Sequence, residues 1–352
     1  NSIMVYNKYI GIIGGTGTIG SIIVKYLLQL QTHFHVLIGG RRSIKEISMS
    51  TFYNSERLKY NQMNYNNDVE LDNFCSQCLL VINAVGPSFK INDKIALHAL
   101  RNNCHYIDIG GYGILRDLLK PYEKSIEAQK LCFIIGVGWM PGISGVFSKT
   151  IIETHLNSPE NTNFNIYYGA VDNWSYSSTY DLAASSMGKT RSYVYSHGKE
   201  IQVSPFRYTH HKFFPFIGHK KICMPSFDEQ LTQLATSLKQ IRKISTFIML
   251  NDYISMGKFM FIKIFYKHNL NKATLMLQDD YQRLVKKENK WGSVICQVSK
   301  IEPERKIDTF YYLYTKNNLL YTALPAVITT QYILEGKTKI CLLYTSPSPR
   351  DR

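Results

Sequence analysis

The chain of 352 residues is 45% hydrophobic and 19% charged, a composition typical of a soluble globular protein, and its length predicts two domains. The composition excludes a disordered tail protein, a collagen-like chain and a small disulfide scaffold. The two longest charge-free stretches, residues 131–148 and 317–334, contain proline together with glycine or asparagine, so the sequence predicts no membrane span.

Lysine and arginine outnumber aspartate and glutamate by 15, an excess that can indicate a nucleic-acid partner. The excess is divided between residues 1–150, with 15 basic and 10 acidic residues, and the rest of the chain, and no long basic run occurs. A diffuse bias towards A/T-rich codons explains it better than a polyanion-binding surface. We therefore expect a small-molecule partner, no nucleic acid and a cytoplasmic location, and a homodimer is left open.

The seven cysteines suit a reducing compartment, where thiols stay free. Cys75 and Cys78 form a C-x-x-C pair that could be a redox site, but no second pair follows at zinc-ligand spacing. The chain starts without methionine, so we expect its natural N-terminus to be missing. Residues 341–352 resemble a translated sequencing adaptor, and we exclude them from the expected fold.

The strongest motif lies near the start of the chain. Residues 8–13 have the apolar pattern of a strand, Gly15, Gly17 and Gly20 follow as G-x-G-x-x-G, and residues 21–30 have helical spacing. In such a unit the first glycine permits the turn, the second lets a pyrophosphate approach the backbone, and the third lets helix and strand pack closely. N–H groups at the helix start then hold the phosphates. The alternative is a glycine-rich turn without a ligand.

The next strand, within residues 35–42, ends in Arg41 and Arg42. In dinucleotide-binding folds an acid at this point accepts the ribose 2′-hydroxyl of NAD, whereas arginine accommodates the 2′-phosphate of NADP. The first acid after this strand is Glu46, so the arginine pair predicts NADP(H). A solvated arginine pair is the alternative.

Strands and helices then alternate. Residues 79–84, 105–111 and 131–137 are strand-like, and residues 91–100 and 122–130 are helical in pattern. The first of these strands is apolar throughout and ends in a Gly-Pro break, as expected of a buried parallel strand. The predicted fold class is therefore α/β, a Rossmann-type doubly wound parallel sheet.

Three further segments carry a family resemblance. Residues 83–87 (Asn-Ala-Val-Gly-Pro), 105–108 (His-Tyr-Ile-Asp) and 136–144 follow the glycine-rich turn in an order that resembles the saccharopine dehydrogenases and their NADP-binding relatives. The resemblance implies an inserted mixed α/β cap domain and a C-terminal helix that returns to the first domain. We expect an NADP-binding domain over 1–145, a cap over 146–320 and the returning helix within 321–340.

The resemblance and the glycine motif together predict a set of cofactor-binding residues. These are Gly14, Gly15, Thr16, Gly17, Thr18, Ile19, Gly20, Arg41, Arg42, Asn83, Ala84, Val85, Gly86, Pro87 and Gly110.

The middle of the chain has a weaker pattern. Residues 163–171, 192–195, 199–203, 259–266 and 310–314 are each expected to form a strand of the cap, and a helix is expected to carry Leu182 to Ala184.

A reductase of this kind needs a proton donor near the nicotinamide. We name Asp108 and Tyr112 as catalytic candidates, with a helix cap and a surface loop tyrosine as the respective alternatives. Trp139, Tyr180 and Arg191 are candidate substrate contacts: Trp139 as a packing wall, and Arg191 as a partner for a carboxylate or a solvated side chain. The adjacent histidines 210 and 211 lack nearby acids or cysteines, so no metal site is expected.

These motifs and candidate residues are consistent with two classes of function. The first is an NADP(H)-dependent oxidoreductase that transfers a hydride between nicotinamide and a C–N or related bond of a small molecule, in a cleft between the domains. The second is a dinucleotide-binding sensor or scaffold without turnover.

Overall fold

The structure is a computed structural model that describes residues 8–30, 33–43, 55–111, 113–156, 159–187, 192–226, 229–266, 268–338 and 344–345. The described residues divide into two compact units. One contains those up to Ile143 together with those from Leu319 onward, and the other contains Ser144–Asn318.

The first unit is built on a parallel sheet. Its strands are β1 (Tyr9–Ile13), β2 (Val36–Gly40), β3 (Leu58–Gln62), β4 (Cys78–Asn83), β5 (His105–Asp108) and β6 (Phe133–Ile135). They lie in the order β3-β2-β1-β4-β5-β6, and a two-residue strand, Tyr344–Thr345, pairs with β6. This order places the carboxyl ends of β1 and β4 side by side at the point where the strand order reverses, which is where nucleotides bind in such sheets.

Helices cover both faces of this sheet. They are α1 (Thr18–Gln29), α2 (Asp68–Ser76), α3 (Ser88–Ile91), α4 (Lys94–Arg101), α5 (Gly113–Leu119) and α6 (Glu123–Ala128), with a 3₁₀ turn at Lys120–Tyr122. One apolar cluster contains Phe74, Leu100 and Tyr106, and the other contains Ile23 and Val327. Val327 lies on the C-terminal helix, α13 (Asn318–Leu334), so this helix packs on the first unit.

The second unit contains a mixed sheet. Its strands are β7 (Thr162–Val171), β8 (Ser192–Ser196), β9 (Lys199–Val203), β10 (His210–Phe214), β11 (His219–Pro225), β12 (Lys243–Leu250), β13 (Trp291–Ile301) and β14 (Lys306–Thr315). The order is β10-β11-β12-β7-β13-β14, with β7 and β12 parallel and β8 and β9 attached beside β12. The predicted fold class, a Rossmann-type sheet with an inserted mixed α/β domain, is confirmed.

The remaining helices lie mainly in the second unit. They are α7 (Ile143–His155), α8 (Tyr176–Met187), α9 (Pro205–Tyr208), α10 (Glu229–Ser237), α11 (Tyr253–Phe265) and α12 (Leu270–Lys287), with a 3₁₀ turn at Pro159–Asn161.

The strand predicted over residues 259–266 is wrong, because this segment belongs to α11. Asp252 caps the helix by accepting a hydrogen bond of 2.8 Å from the backbone N–H of Ser255. The buried residues Ser255, Phe259 and Ile262 are spaced three and four apart, which is the helical period. Apolar side chains on the exposed face, such as Phe261 and Phe265, obscured this period in the sequence.

Two other local expectations differ from the structure. The helix expected over 91–100 corresponds mainly to α4, which begins at Lys94, because α3 ends at Ile91 and Asn92 after it has a φ of 51°. Strand β3 and helix α2 were not expected, because Leu58–Gln62 has polar residues in most positions and matches no apolar run.

The cysteines of the described ranges are buried free thiols. Cys104 contacts the carbonyl oxygens of Cys75 and Cys78 at 3.1 and 3.2 Å. Burial raises the pKa of Cys75 and Cys78 well above that of a free thiol, and that of Cys104 to about 11. Because the thiolate is the reactive form, the C-x-x-C pair has the properties of a packed core and not of a redox site.

Within the ranges that the structure describes, no helix is both long enough and apolar enough to cross a membrane. In those same ranges, no group of three or more His, Cys, Asp or Glu side chains could hold a metal ion.

Candidate dinucleotide-binding site

The turn between β1 and α1 contains two glycines, Gly14 and Gly20, at positions where a side chain would be strained. Gly14 has a φ of +85°, a conformation that L side chains rarely adopt, and its N–H donates to the carbonyl oxygen of Gly39 at 2.9 Å. A Cβ on Gly20 would overlap the carbonyl oxygen of Gly14. The positive φ thus falls on Gly14, one residue before the position expected from the motif, whereas Gly20 has the close-packing role expected of it.

The start of α1 has the chemistry that a phosphate requires. Gly17 is the N-cap and has no side chain to accept from the first-turn N–H groups, and no acidic residue lies in that turn. Those N–H groups have no acceptor within the helix, and the helix dipole makes this end positive. A Cβ on Gly17 would meet only the carbonyl oxygen of Gly14, at 3.1 Å, so the space before the helix is open to a close approach. The residues present therefore fit the pyrophosphate of a dinucleotide.

The arginine pair follows β2 directly, as expected. Both arginines are exposed, and Arg42 Nη2 donates to the carbonyl oxygen of Thr16 in the glycine-rich turn at 2.5 Å. Thr16 also lies close to the end of β2, since a Cβ on Gly40 would be 3.5 Å from its Oγ1. The fold thus brings the basic strand end and the phosphate-binding turn together.

The segment after β4 forms the next wall of this region. The backbone N–H of Ala84 donates to the carbonyl oxygen of Ile13 at 2.9 Å, and a Cβ on Gly14 would lie 2.9 Å from the Ala84 backbone. Asn83 Oδ1 accepts from the N–H of Val85 at 3.0 Å, which holds the segment in its turn before Pro87. The structure therefore places Ala84 and Val85 against the glycine-rich turn.

Asp108 lies at the end of β5, with only 2% of its surface exposed. Its Oδ2 accepts from Asn83 Nδ2 at 2.8 Å and from the Tyr106 hydroxyl at 2.6 Å, and its Oδ1 accepts from the Gly110 N–H at 2.9 Å. Burial raises the pKa of the Asp108 carboxyl, against these hydrogen bonds and one from Gly111, which lower it. The pKa of Tyr106 is well above its usual range because the phenol is buried beside this carboxyl. This arrangement ties β4, β5 and the following loop together.

A small cavity, with room for about one water molecule, borders the Asp108 group. Its lining includes Ser88, Asn92, Gly111 and Ile114. Gly110 is adjacent to it, because a Cβ on this residue would overlap Ser88 Oγ. The cavity lies at the carboxyl end of the sheet, on the edge where ligands bind in this fold.

The other candidate residues are distributed differently. Trp139 is in the first unit, nearly buried, with its ring edge-on to that of Tyr321 on α13 at 6.1 Å. Tyr180 is in the second unit, on α8, nearly buried and 6.1 Å from the ring of Tyr176. Tyr112 and Arg191 lie outside the described residues.

The sequence analysis did not identify two residues that form hydrogen bonds in this region, Tyr106 and Tyr60. Tyr106 shares a strand face with Asp108, a relationship that the two-residue period of a strand predicts. Tyr60 on β3 contacts the end of β2, and no sequence pattern pointed to it.

The glycine-rich turn, the strand order and the basic end of β2 define a dinucleotide-binding domain of the NADP-dependent oxidoreductase class. Residues 10–132 match the family model described as the saccharopine dehydrogenase NADP binding domain. This match supports the resemblance to the saccharopine dehydrogenase-like NADP-binding family that the sequence motifs predicted, and NADP(H) is the cofactor.

One solved structure shares the fold over nearly the whole chain. The apo saccharopine dehydrogenase (L-Glu forming) of Saccharomyces cerevisiae is 14% identical, with a TM-score of 0.66 over 96% of this chain and 93% of that chain. Two others are less similar. An engineered D-amino acid dehydrogenase bound to NADP+ is 10% identical, with a TM-score of 0.49 and 98% of each chain covered. The C. glutamicum DAP dehydrogenase in complex with DAP is 10% identical, with a TM-score of 0.44 over 90% of this chain and 86% of that chain. No curated protein sequence matches the chain significantly.

Proposed function

We propose that this protein is an NADP(H)-dependent oxidoreductase of saccharopine-dehydrogenase type, acting on a C–N or related bond of a small-molecule substrate. The observation that carries the proposal is the uncapped start of α1 at Gly17, with the Arg42 guanidinium on the same turn. Bound NADP(H) would supply or accept the hydride, and the protein would supply orientation and charge.

Each part of the site would have its own role in holding the cofactor. The N–H groups after Gly17 would bind the pyrophosphate, and Arg41 and Arg42 would bind the 2′-phosphate. Residues 83–87 and Gly110 would form the wall beside the glycine-rich turn, held in place by the buried Asp108.

The proton donor is a separate question. The buried Asp108 carboxyl accepts hydrogen bonds from Asn83, Tyr106 and Gly110, so we assign it a positioning role and not proton exchange. We keep Tyr112 as the proposed catalytic residue, with Trp139, Tyr180 and Arg191 proposed as substrate contacts.

A non-catalytic dinucleotide-binding module is the second candidate function. It is favoured by one observation, namely that the buried carboxylate nearest the sheet end is committed to structural hydrogen bonds. The two functions differ in turnover and not in cofactor binding.

The first experiment is a titration of the full chain with NADPH and NADH, followed by nicotinamide fluorescence. We expect NADPH to bind at least tenfold more tightly, because one charge-assisted contact to the 2′-phosphate contributes about 1.5–3 kcal/mol. Gly17→Glu should abolish binding by placing a carboxylate before α1. Gly257→Glu is the matched control: Gly257 lies on the exposed side of α11, and a Cβ there would meet nothing within 4 Å.

The second experiment separates enzyme from module. NADPH labelled with deuterium at the transferred position would be incubated with 2-oxo acids and amines, and the products examined for the label. Label in a new C–H bond, lost in Gly17→Glu, supports the oxidoreductase. Tight NADPH binding without transfer to any substrate supports the module, and a folded chain that binds neither nucleotide contradicts both functions.

A further inference from the structure

The turn that carries Arg41 and Arg42 is attached to the neighbouring strand by side chains. Strands β2 and β3 are parallel, with Gly40 opposite Gln62. The hydroxyl of Tyr60 lies 2.9 Å from the carbonyl oxygen of Gly40 and 2.5 Å from that of Arg42. The single phenolic proton can therefore serve the carbonyls on both sides of Arg41.

Two further bonds complete this attachment. Gln62 Nε2 donates to the carbonyl oxygen of Arg41 at 3.3 Å, and the backbone N–H of Met63 donates to that of Gly40 at 2.8 Å. Three consecutive carbonyl groups, from Gly40 to Arg42, are thus held by β3. Tyr60 also packs its ring against the apolar cluster that contains Val36 and Ile38, which fixes the position of its hydroxyl.

This attachment has a consequence for the exposed guanidinium groups. An arginine side chain has many rotamers, and a mobile backbone beneath it would add to the entropy lost when it binds a phosphate. A backbone fixed at three carbonyls removes that second cost. The smaller entropy loss favours binding of the 2′-phosphate, the group that the arginines bind. NADPH has this group and NADH lacks it.

We propose that Tyr60 is a positioning residue that sets the preference for NADPH over NADH by holding the Arg41–Arg42 turn on β3. The inference rests on the proposed function, because it takes the arginine pair to be the 2′-phosphate subsite. Gln62 supports the same turn with a weaker, exposed contact.

The test compares Tyr60→Phe with the unaltered full chain. The variant removes the hydroxyl and keeps the packing ring. Loss of one hydrogen bond should raise the Kd for NADPH about three- to tenfold and leave the Kd for NADH within about twofold. The matched control is Tyr26→Phe, since Tyr26 packs against the same apolar cluster from α1, and this control should change neither Kd.

A second probe places the effect at the subsite. Adenosine 2′,5′-bisphosphate and 5′-AMP differ only in the 2′-phosphate, and calorimetry should show that Tyr60→Phe weakens binding of the first but not of the second. Gln62→Ala, an exposed substitution that leaves the core intact, should weaken the same ligand about two- to threefold.

The outcomes separate the inference from the proposed function. Equal losses for NADPH and NADH, or no loss for either in Tyr60→Phe, would overturn the positioning role while the proposed function stands. An unaltered chain that binds both nucleotides equally would instead overturn the arginine subsite, and this inference with it. Should Tyr60→Phe fail to fold, the Gln62→Ala result decides.

Discussion

The guanidinium of Arg42 donates a hydrogen bond of 2.5 Å to the carbonyl oxygen of Thr16, so the end of β2 is bonded to the phosphate-binding turn. This bond joins positions that are 26 residues apart in the chain. Arg41 is exposed next to it, and its own carbonyl oxygen accepts from Gln62. The two adjacent arginines therefore have different environments: the side chain of Arg42 is bonded to the glycine-rich turn, whereas Arg41 is held through its backbone carbonyl.

We expect the two arginines to respond differently to substitution. Arg41→Ala should raise the Kd for NADPH by about ten- to a hundredfold through loss of a charge-assisted contact, with the Kd for NADH unchanged. Arg42→Ala should raise both values, because the Thr16 carbonyl loses its donor and the turn that binds the shared pyrophosphate loses a support. Parallel fluorescence titrations of both variants with both nucleotides measure this.

Arg42→Lys is the informative intermediate. It keeps the charge but replaces the planar fork with a single ammonium group, so it should recover part of the NADPH affinity and little of the effect on NADH. An Arg42→Ala variant that binds NADH as tightly as the unaltered chain would show that the bond to Thr16 has no influence on the pyrophosphate site.

The sequence predicted those parts of the site that are formed by residues close together in the chain. Residues 8–30 form a strand, a turn and a helix that are contiguous in the chain, and Gly14 and Gly20 meet within that unit. The alternation of strands and helices then predicts a parallel sheet with helices packed on it. This much follows from short-range periodicity and from general topological rules.

The rest depends on contacts between distant segments. Tyr60 reaches Arg42 from a strand whose polar residues match no apolar pattern, and the Arg42–Thr16 bond depends on how two loops meet. The error over residues 259–266 has another cause, because a segment that is apolar on several faces fits a strand and a helix equally well until packing selects one.

Asp108 provides a test of the positioning role assigned to it. In Asp108→Asn, one acceptor oxygen becomes an NH₂ donor and would face Tyr106, Asn83 or Gly110, each of which already donates to that carboxyl group. An unsatisfied buried polar group costs about 1–3 kcal/mol, so we expect the free energy of unfolding to fall by at least this amount. Urea denaturation followed by circular dichroism measures the change.

The control for this prediction is Asp117→Asn. Asp117 is an exposed acid that pairs with its neighbour Arg116, and its loss should change the free energy of unfolding little. Equal stability of the Asp108→Asn variant and the unaltered chain would show that the buried cluster is not a structural support, and would restore Asp108 as a catalytic candidate.

The second unit contains an ion pair with a defined pH dependence. Arg283 contacts both oxygens of Asp252, at 2.7 and 2.9 Å, and Asp252 also caps α11. The bonds from Arg283 hold the pKa of Asp252 well below its ordinary value of 3.8. A carboxyl whose pKa is lower in the folded than in the unfolded state stabilises the fold above the unfolded pKa, and this stabilisation is lost as the pH falls through the folded pKa.

We therefore expect the stability difference between the unaltered chain and Asp252→Asn to depend on pH. Asparagine keeps the helix cap and removes the charge, so the difference isolates the ion pair. It should be about 1–2 kcal/mol near neutral pH, since the pair is bidentate but partly exposed, and should diminish as the pH falls below about 3.8. Urea unfolding at a series of pH values measures it. Asp279→Asn removes one of the two acidic partners of Lys258, at a far more exposed site, and should show a much smaller difference throughout. A difference for Asp252→Asn that stayed constant down to the acid limit would mean that the charge of Asp252 does not contribute to the stability of this unit.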